Sequence, residues 1–262
     1  MMIESRGLDI RYRKFRALQE LDLRVEEGET YGLLGPNGAG KTTAMKVLST
    51  LLPPTAGTVL VAGHDVVKEG RKVQESIGYV PQLLSADGSL TGYENMMVFA
   101  KLFGLSRRQR RDDVQSALEY MGLADSQDQM VKNYSGGMVR RLEIAQSLLH
   151  HPPVLLMDEP TTGLDPVARE TVWRRISALR QDRGTTILLT THLMEEAEAL
   201  CDRVGILDRG RMVVEGSPGN IIASSGCSDL NQAFAHFTGH DLHMGGEFND
   251  IRMARRKARR LG

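Results

Sequence analysis

Gly35-Pro36-Asn37-Gly38-Ala39-Gly40-Lys41-Thr42 fulfils the pattern GxxxxGK[ST], and that pattern carries phosphate chemistry. Glycines let consecutive backbone N–H groups converge on phosphate oxygens, and a helix starting behind them aims the positive end of its dipole at the same place. Lys41 suits the outer phosphates of a nucleotide, and the Thr42 hydroxyl, with Thr43 behind it, suits a Mg²⁺ ion. Farther along, the apolar run Val154-Leu155-Leu156-Met157 ends in two carboxylates, Asp158 and Glu159. Beside a phosphate loop, the first can hold Mg²⁺ through its water shell and the second can orient or deprotonate an attacking water. That pair points to nucleotide hydrolysis rather than transfer to a bound acceptor. No Asn-Lys-x-Asp occurs in the chain, so the usual guanine-selecting loop is missing.

These groups need a scaffold, and its periodicities are legible. Alternating apolar and polar residues predict strands over 8–12 and 21–25, and a continuous apolar strand over 30–34 runs into the glycine-rich turn. A helical pattern follows from Lys41 to Leu52, where Pro53-Pro54 stops it. Strands are expected at 58–61 and 77–80. Residues 94–103 and 108–121 carry apolar positions at helical spacing, ended by Gly104 and Gly122. Strand and helix then alternate: 154–157, 166–180, 185–189, 194–200, 204–207 and 212–214. The alternation predicts an α/β fold with a mostly parallel sheet, helices on its faces and a helical insertion. After Gly216 the pattern weakens, and Ser224-Ser225-Gly226 reads as a hinge into a small appendage carrying Phe234 and Phe237. Trp173, Met96 and Met97 read as packing residues, Cys201 as a core thiol and Asp128 as part of a solvated loop.

Composition sets outer bounds. The 262 residues carry 33 basic and 33 acidic side chains, with 41% apolar and 25% charged residues, the balance of an ordinary globular protein. It excludes a strongly basic nucleic-acid coat, and no nucleic-acid partner is expected. Two cysteines, Cys201 and Cys227, make no disulfide framework. The charged start lacks a signal-peptide pattern, and no apolar run approaches a bilayer span. The neutral total hides segregation: Arg252, Arg255, Arg256, Lys257, Arg259 and Arg260 end the chain without one acid among them, so an acidic body precedes a basic tail.

Tyr134-Ser135-Gly136-Gly137-Met138, lying between the phosphate loop and the Val154 strand, settles a resemblance. With Gln82, Asp165 and His192 in order, residues 3–220 resemble the nucleotide-binding subunit of an ABC transporter, and Tyr-Ser-Gly-Gly-Met followed by Arg-Arg-Leu-Glu resembles the drug-resistance, ABC-2-type exporter branch. The fold so implied is a P-loop NTPase with a RecA-like, mostly parallel sheet, an N-terminal antiparallel β subdomain and an α-helical insertion. Residues 1–82 and 151–216 would form the ATP-binding core, 83–150 the helical subdomain that docks on membrane subunits, and 217–262 a small C-terminal extension with the basic tail.

The resemblance also implies roles. Tyr12 would stack on adenine; Gly35 to Thr43 would cradle the phosphates; Thr42, Gln82 and Asp158 would serve Mg²⁺; Glu159 would polarise the water, with Lys41, Gln82 and His192 assisting. Ser135, Gly136, Gly137 and Asp165 would serve the ATP held by a partner subunit, so the expected state is a homodimer or heterodimer around two Mg·ATP. Permease subunits are the expected membrane partners, at the cytoplasmic face of the cell membrane, the chain having no span of its own. Met138 departs from the family's usual glutamine and cannot make that residue's polar contacts. The alternatives are a non-transport ABC-type ATPase of DNA repair or translation, and an importer subunit. The segment from Leu83 to Asn133 is too short for the long coiled coil of the first of these.

Overall fold

The computed structural model describes residues 1–13 and 15–239. The basic tail therefore lies outside the described residues. Among the described residues, ten strands form two sheets. In the first, β1 (Ile3–Tyr12), β2 (Phe15–Val25), β4 (Ala56–Val61) and β5 (His64–Asp65) pair antiparallel in the order β2-β1-β4-β5. In the second, β3 (Thr30–Leu34), β6 (Ile77–Val80), β7 (Val154–Asp158), β8 (Thr186–Thr191), β9 (Arg203–Asp208) and β10 (Arg211–Gly216) take the order β10-β9-β3-β8-β7-β6. Only β10 runs antiparallel there.

Every residue of β3, β7 and β8 is buried, which is why these strands read as unbroken apolar runs. Their side chains still alternate between two cores. Val154 and Leu156 of β7 pack beneath the antiparallel sheet, and Leu155 and Met157 pack on the opposite side. The first core also holds α1 (Lys41–Leu48). The second joins the sheet to α3 (Gly92–Leu102), α4 (Arg107–Tyr120), α5 (Gly136–Ser147), α6 (Pro166–Arg183) and α7 (Met194–Leu200). A short α2 (Gly70–Ser76) lies between β5 and β6.

The expected elements are present with shifted ends, each for a local reason. Helix α1 stops at Leu48 rather than Leu52, because the Ser49 hydroxyl returns to the Met45 carbonyl at 2.7 Å and Thr50 turns left-handed at φ 63°. Capping boxes start α3 at Thr91 and α4 at Ser106, and Gly104 and Gly122 follow them with positive φ. The expected hinge is instead a helix end: Ser224 and Ser225 close α8 (Pro218–Ser225), their hydroxyls bonded to the carbonyls of Ile221 and Ile222, and Gly226 caps it. The following α9 (Leu230–Thr238) sinks Phe234 completely into the second core, so this segment is part of the packed body.

Candidate functional site

The parallel strands of the larger sheet all end on one edge, and the loops after them carry the chemistry, as in other open α/β sheets. The phosphate loop follows β3, Glu159 follows β7, His192 follows β8 and Gln82 follows β6. A cavity of about 410 Å³ opens there, lined by Tyr12, Phe15 and Ala17, by Pro36, Asn37, Gly38, Gly40, Lys41, Thr42 and Thr43, and by Gln82 and Glu159. Tyr12 and Phe15 face each other across the β1–β2 turn, 45% and 63% exposed, and give the cavity an aromatic end. Gly35 and the buried Ala39 lie behind the lining, and Gly35 contributes its carbonyl. Gly40 cannot be replaced without strain: its φ is 114°, and a Cβ there would stand 2.7 Å from the Ala17 carbonyl oxygen.

Lys41 is 5% exposed, with Nζ donating to the carbonyls of Gly35 at 2.7 Å and Pro36 at 3.3 Å and lying 3.3 Å from Glu159 Oε1. Burial lowers its pKa, and the Glu159 and Asp158 charges oppose that. Glu159 collects neighbours at its other oxygen: the Gln82 amide donates at 3.2 Å, the Thr162 hydroxyl donates at 3.1 Å, and His192 Nδ1 lies 3.3 Å away, out of line for a directed hydrogen bond. Burial alone would raise this carboxyl. The His192 contact, the Lys41 charge and the Thr162 hydroxyl outweigh it and hold the pKa down at about 2. Glu159 is therefore ionised at neutral pH. Its backbone is left-handed at φ 48°, held by N–H bonds to the Thr190 carbonyl and hydroxyl at 3.1 and 3.0 Å.

Asp158 is buried behind the cavity, where Oδ1 accepts the Thr190 hydroxyl at 2.6 Å. Thr42, Gln82 and Asp158 offer hydroxyl, amide and carboxylate oxygens, the hard donors that Mg²⁺ prefers. No group of three His, Cys, Asp or Glu able to hold a metal exists among the described residues. The three donors fit a cation that takes much of its shell from phosphate and water.

Other expected site residues stand outside the cavity. Ser135 caps α5, its hydroxyl accepting the Met138 N–H at 3.3 Å, and Ser135 and Gly136 are exposed. Gly137 is buried against α6, where a Cβ would stand 2.8 Å from that of Ala168. Met138 packs its side chain against the second core. Asp165 caps α6, with Pro166 at the first helical position.

Four contributors escape sequence reasoning. From the neighbouring strand, Thr190 donates to the Asp158 carboxylate and accepts the Glu159 backbone N–H. Arg140 and Glu143, spaced i,i+3 and both buried, hold the Gln82 segment, and that spacing was the available signal. Glu196 accepts the Thr161 hydroxyl at 2.6 Å and the Trp173 indole N–H at 2.9 Å, so Trp173 does more than fill space.

The family model described as ABC transporter matches residues 18–162. The daunorubicin/doxorubicin resistance ATP-binding protein DrrA of Streptomyces peucetius is 46% identical over 228 residues, covering 87% of this chain and 69% of that protein. The Nod factor export ATP-binding protein I of Burkholderia orbicola is 46% identical over 226 residues, covering 86% and 74%. A solved ATP-binding subunit of an ABC transporter superposes with a TM-score of 0.80 at 27% identity, over 90% of this chain and 99% of that one. The dimeric cassette MJ0796, in a post-hydrolysis state with ADP and Pi, gives 0.74 at 25% identity, over 82% and 98%. The chain belongs to the ABC transporter family, as an ATP-binding subunit that hydrolyses ATP to drive transport.

Proposed function

We propose that two copies of this chain close head to tail around two Mg·ATP, each nucleotide lying between one phosphate loop and the other copy's Ser135-Gly136-Gly137. The observation that carries this reading is the division of the site. Lys41, Gln82 and Glu159 converge on one cavity, while Ser135, Gly136 and Asp165 are presented elsewhere. One chain carries both halves, so two copies complete both sites. Tyr12 stacks on the base, residues 35–43 hold the phosphates, and Asp165 borders the dimer seam. Thr42, Gln82 and Asp158 would hold Mg²⁺, which supplies charge neutralisation at the outer phosphates. Glu159 orients the water that attacks the terminal phosphorus. Lys41 and His192, both against Glu159, are also the phosphate ligands, so phosphate engagement and release of Glu159 are one event. Ser135→Arg tests the division: MgATP binding to the single chain persists while hydrolysis is lost. Normal hydrolysis in that variant contradicts it.

Residues 83–150 provide the permease-docking part. A groove of about 270 Å³ between them and the sheet edge is lined by Leu51, Tyr79, Phe99, Phe103 and His150, among others, and is mostly apolar. Among the described residues no helix is long and apolar enough to cross a membrane. Separate permease subunits would supply the crossing, with this chain at the cytoplasmic face. Export of a drug-like, lipid or other hydrophobic substrate is the favoured direction, supported by the drug-resistance and Nod factor export relatives.

A further inference from the structure

Arg140 stands in the second turn of α5, 2% exposed, on the helix whose N-terminus is Ser135. Its guanidinium forks toward the strand-to-helix segment that follows β6. Nη1 donates to the Pro81 carbonyl at 2.7 Å, and Nη2 donates to the Gln82 carbonyl at 2.8 Å. Nη1 also meets Glu143 Oε2 at 3.0 Å, one turn along the helix. The other Glu143 oxygen accepts the Ser85 backbone N–H, and at 3.1 Å the Ser85 hydroxyl. The buried pair thus grips residues 81, 82 and 85 from one helix, and between those grips the Gln82 side chain reaches Glu159.

A buried ion pair is an inefficient way to glue a helix to a sheet edge, because desolvating both charges consumes most of what their attraction returns. Apolar residues of similar volume would hold α5 in place equally well. What they could not supply is a planar, two-pronged donor aimed at two successive carbonyls, one of them belonging to the residue whose amide touches Glu159. We propose that Arg140, locked by Glu143, is the positioning residue for Gln82: it fixes the Gln82 peptide so that the side-chain amide meets Glu159, and it makes the placement of Gln82 and of the Ser135 helix one variable. This rests on the role given to Gln82 above. Under the head-to-tail arrangement, Gln82 serves the chain's own nucleotide and Ser135 serves the other. Arg140 then links the two sites of the dimer from within a single chain.

The test compares ATP hydrolysis by the full-length chain, per folded molecule, in four forms: wild type, Gln82→Ala, the paired variant Arg140→Gln with Glu143→Gln, and all three substitutions together. The paired variant removes both charges, so neither is left buried alone. It lowers kcat about tenfold with KM for MgATP within about twofold, and in the Gln82→Ala background it lowers kcat no further. Multiplicative losses, or an unchanged kcat accompanied only by a lower melting temperature, overturn the positioning role and reduce the pair to a structural contact. Wild-type kcat in Gln82→Ala alone overturns the reading of Gln82, and the proposal with it. Should the paired variant not fold, Arg140→Lys keeps the charge against Glu143, loses the planar fork and carries the same comparison.

Discussion

Lys41 Nζ and Glu159 Oε1 lie 3.3 Å apart with both side chains almost sealed from water. The phosphate loop and the end of β7 thus meet through one ion pair. Removing the lysine takes away a proposed phosphate ligand and a close countercharge of Glu159 together. Lys41→Ala weakens MgATP binding about 10- to 100-fold, the worth of one or two charge-assisted hydrogen bonds, as read by nucleotide titration. Unchanged affinity would contradict the placement of Lys41 on the phosphates.

The Glu159 carboxyl is depressed from 4.5 to about 2, and the sign of the linkage follows. A group whose folded pKa lies below its unfolded value adds stability that is fully present above the unfolded pKa. That contribution is lost as pH falls through the folded one. The stability difference between wild type and Glu159→Gln is therefore flat from neutral pH down to about 5 and shrinks steadily toward pH 2. Urea midpoints across that range decide it, and parallel curves would contradict the ionised, countercharged Glu159.

Thr190 holds Asp158 by a 2.6 Å hydroxyl bond and receives the N–H of Glu159. Thr190→Val keeps the shape and deletes both bonds. It costs about 1–3 kcal/mol of stability and raises the Mg²⁺ concentration needed for half-maximal ATPase. ATP binding measured without metal stays as in wild type. A Mg²⁺ requirement that does not move would contradict a role for Asp158 at the metal.

Glu196 joins the segment after His192 to Thr161 and Trp173. The carboxylate is buried, so an unpaired donor around it is expensive. Trp173→Phe removes one donor and lowers stability by about 1 kcal/mol, visible as a drop in melting temperature. Added to Glu196→Ala, which removes the acceptor, it lowers stability less than the two losses summed, because the pair shares one bond. Additive losses would show that the indole contact carries no energy.

Residues were legible in the sequence where chemistry requires particular types side by side. Gly35 to Thr42, Asp158-Glu159 and Ser135-Gly136-Gly137 are of this kind, because converging N–H groups, paired carboxylates and a small-residue cap each need contiguous positions. The fully buried strands were legible for a related reason, since both faces of β3, β7 and β8 meet apolar cores. Thr190, Arg140 and Glu196 were not, because each acts on a residue 31 to 59 positions away that only the fold brings near. Helices α8 and α9 were also obscure. Their apolar face is short, and Phe234 reveals itself as core only once α7 and β10 stand beside it.

The composite site makes the most direct demand. Glu159→Gln keeps every proposed phosphate ligand and removes the charge proposed to activate water. With saturating MgATP it should run in light scattering at twice the mass of the single chain, return to the single chain when nucleotide is removed, and show steady-state hydrolysis reduced at least about 100-fold. A variant that stays monomeric under saturating MgATP, or that turns over like wild type, would contradict the account.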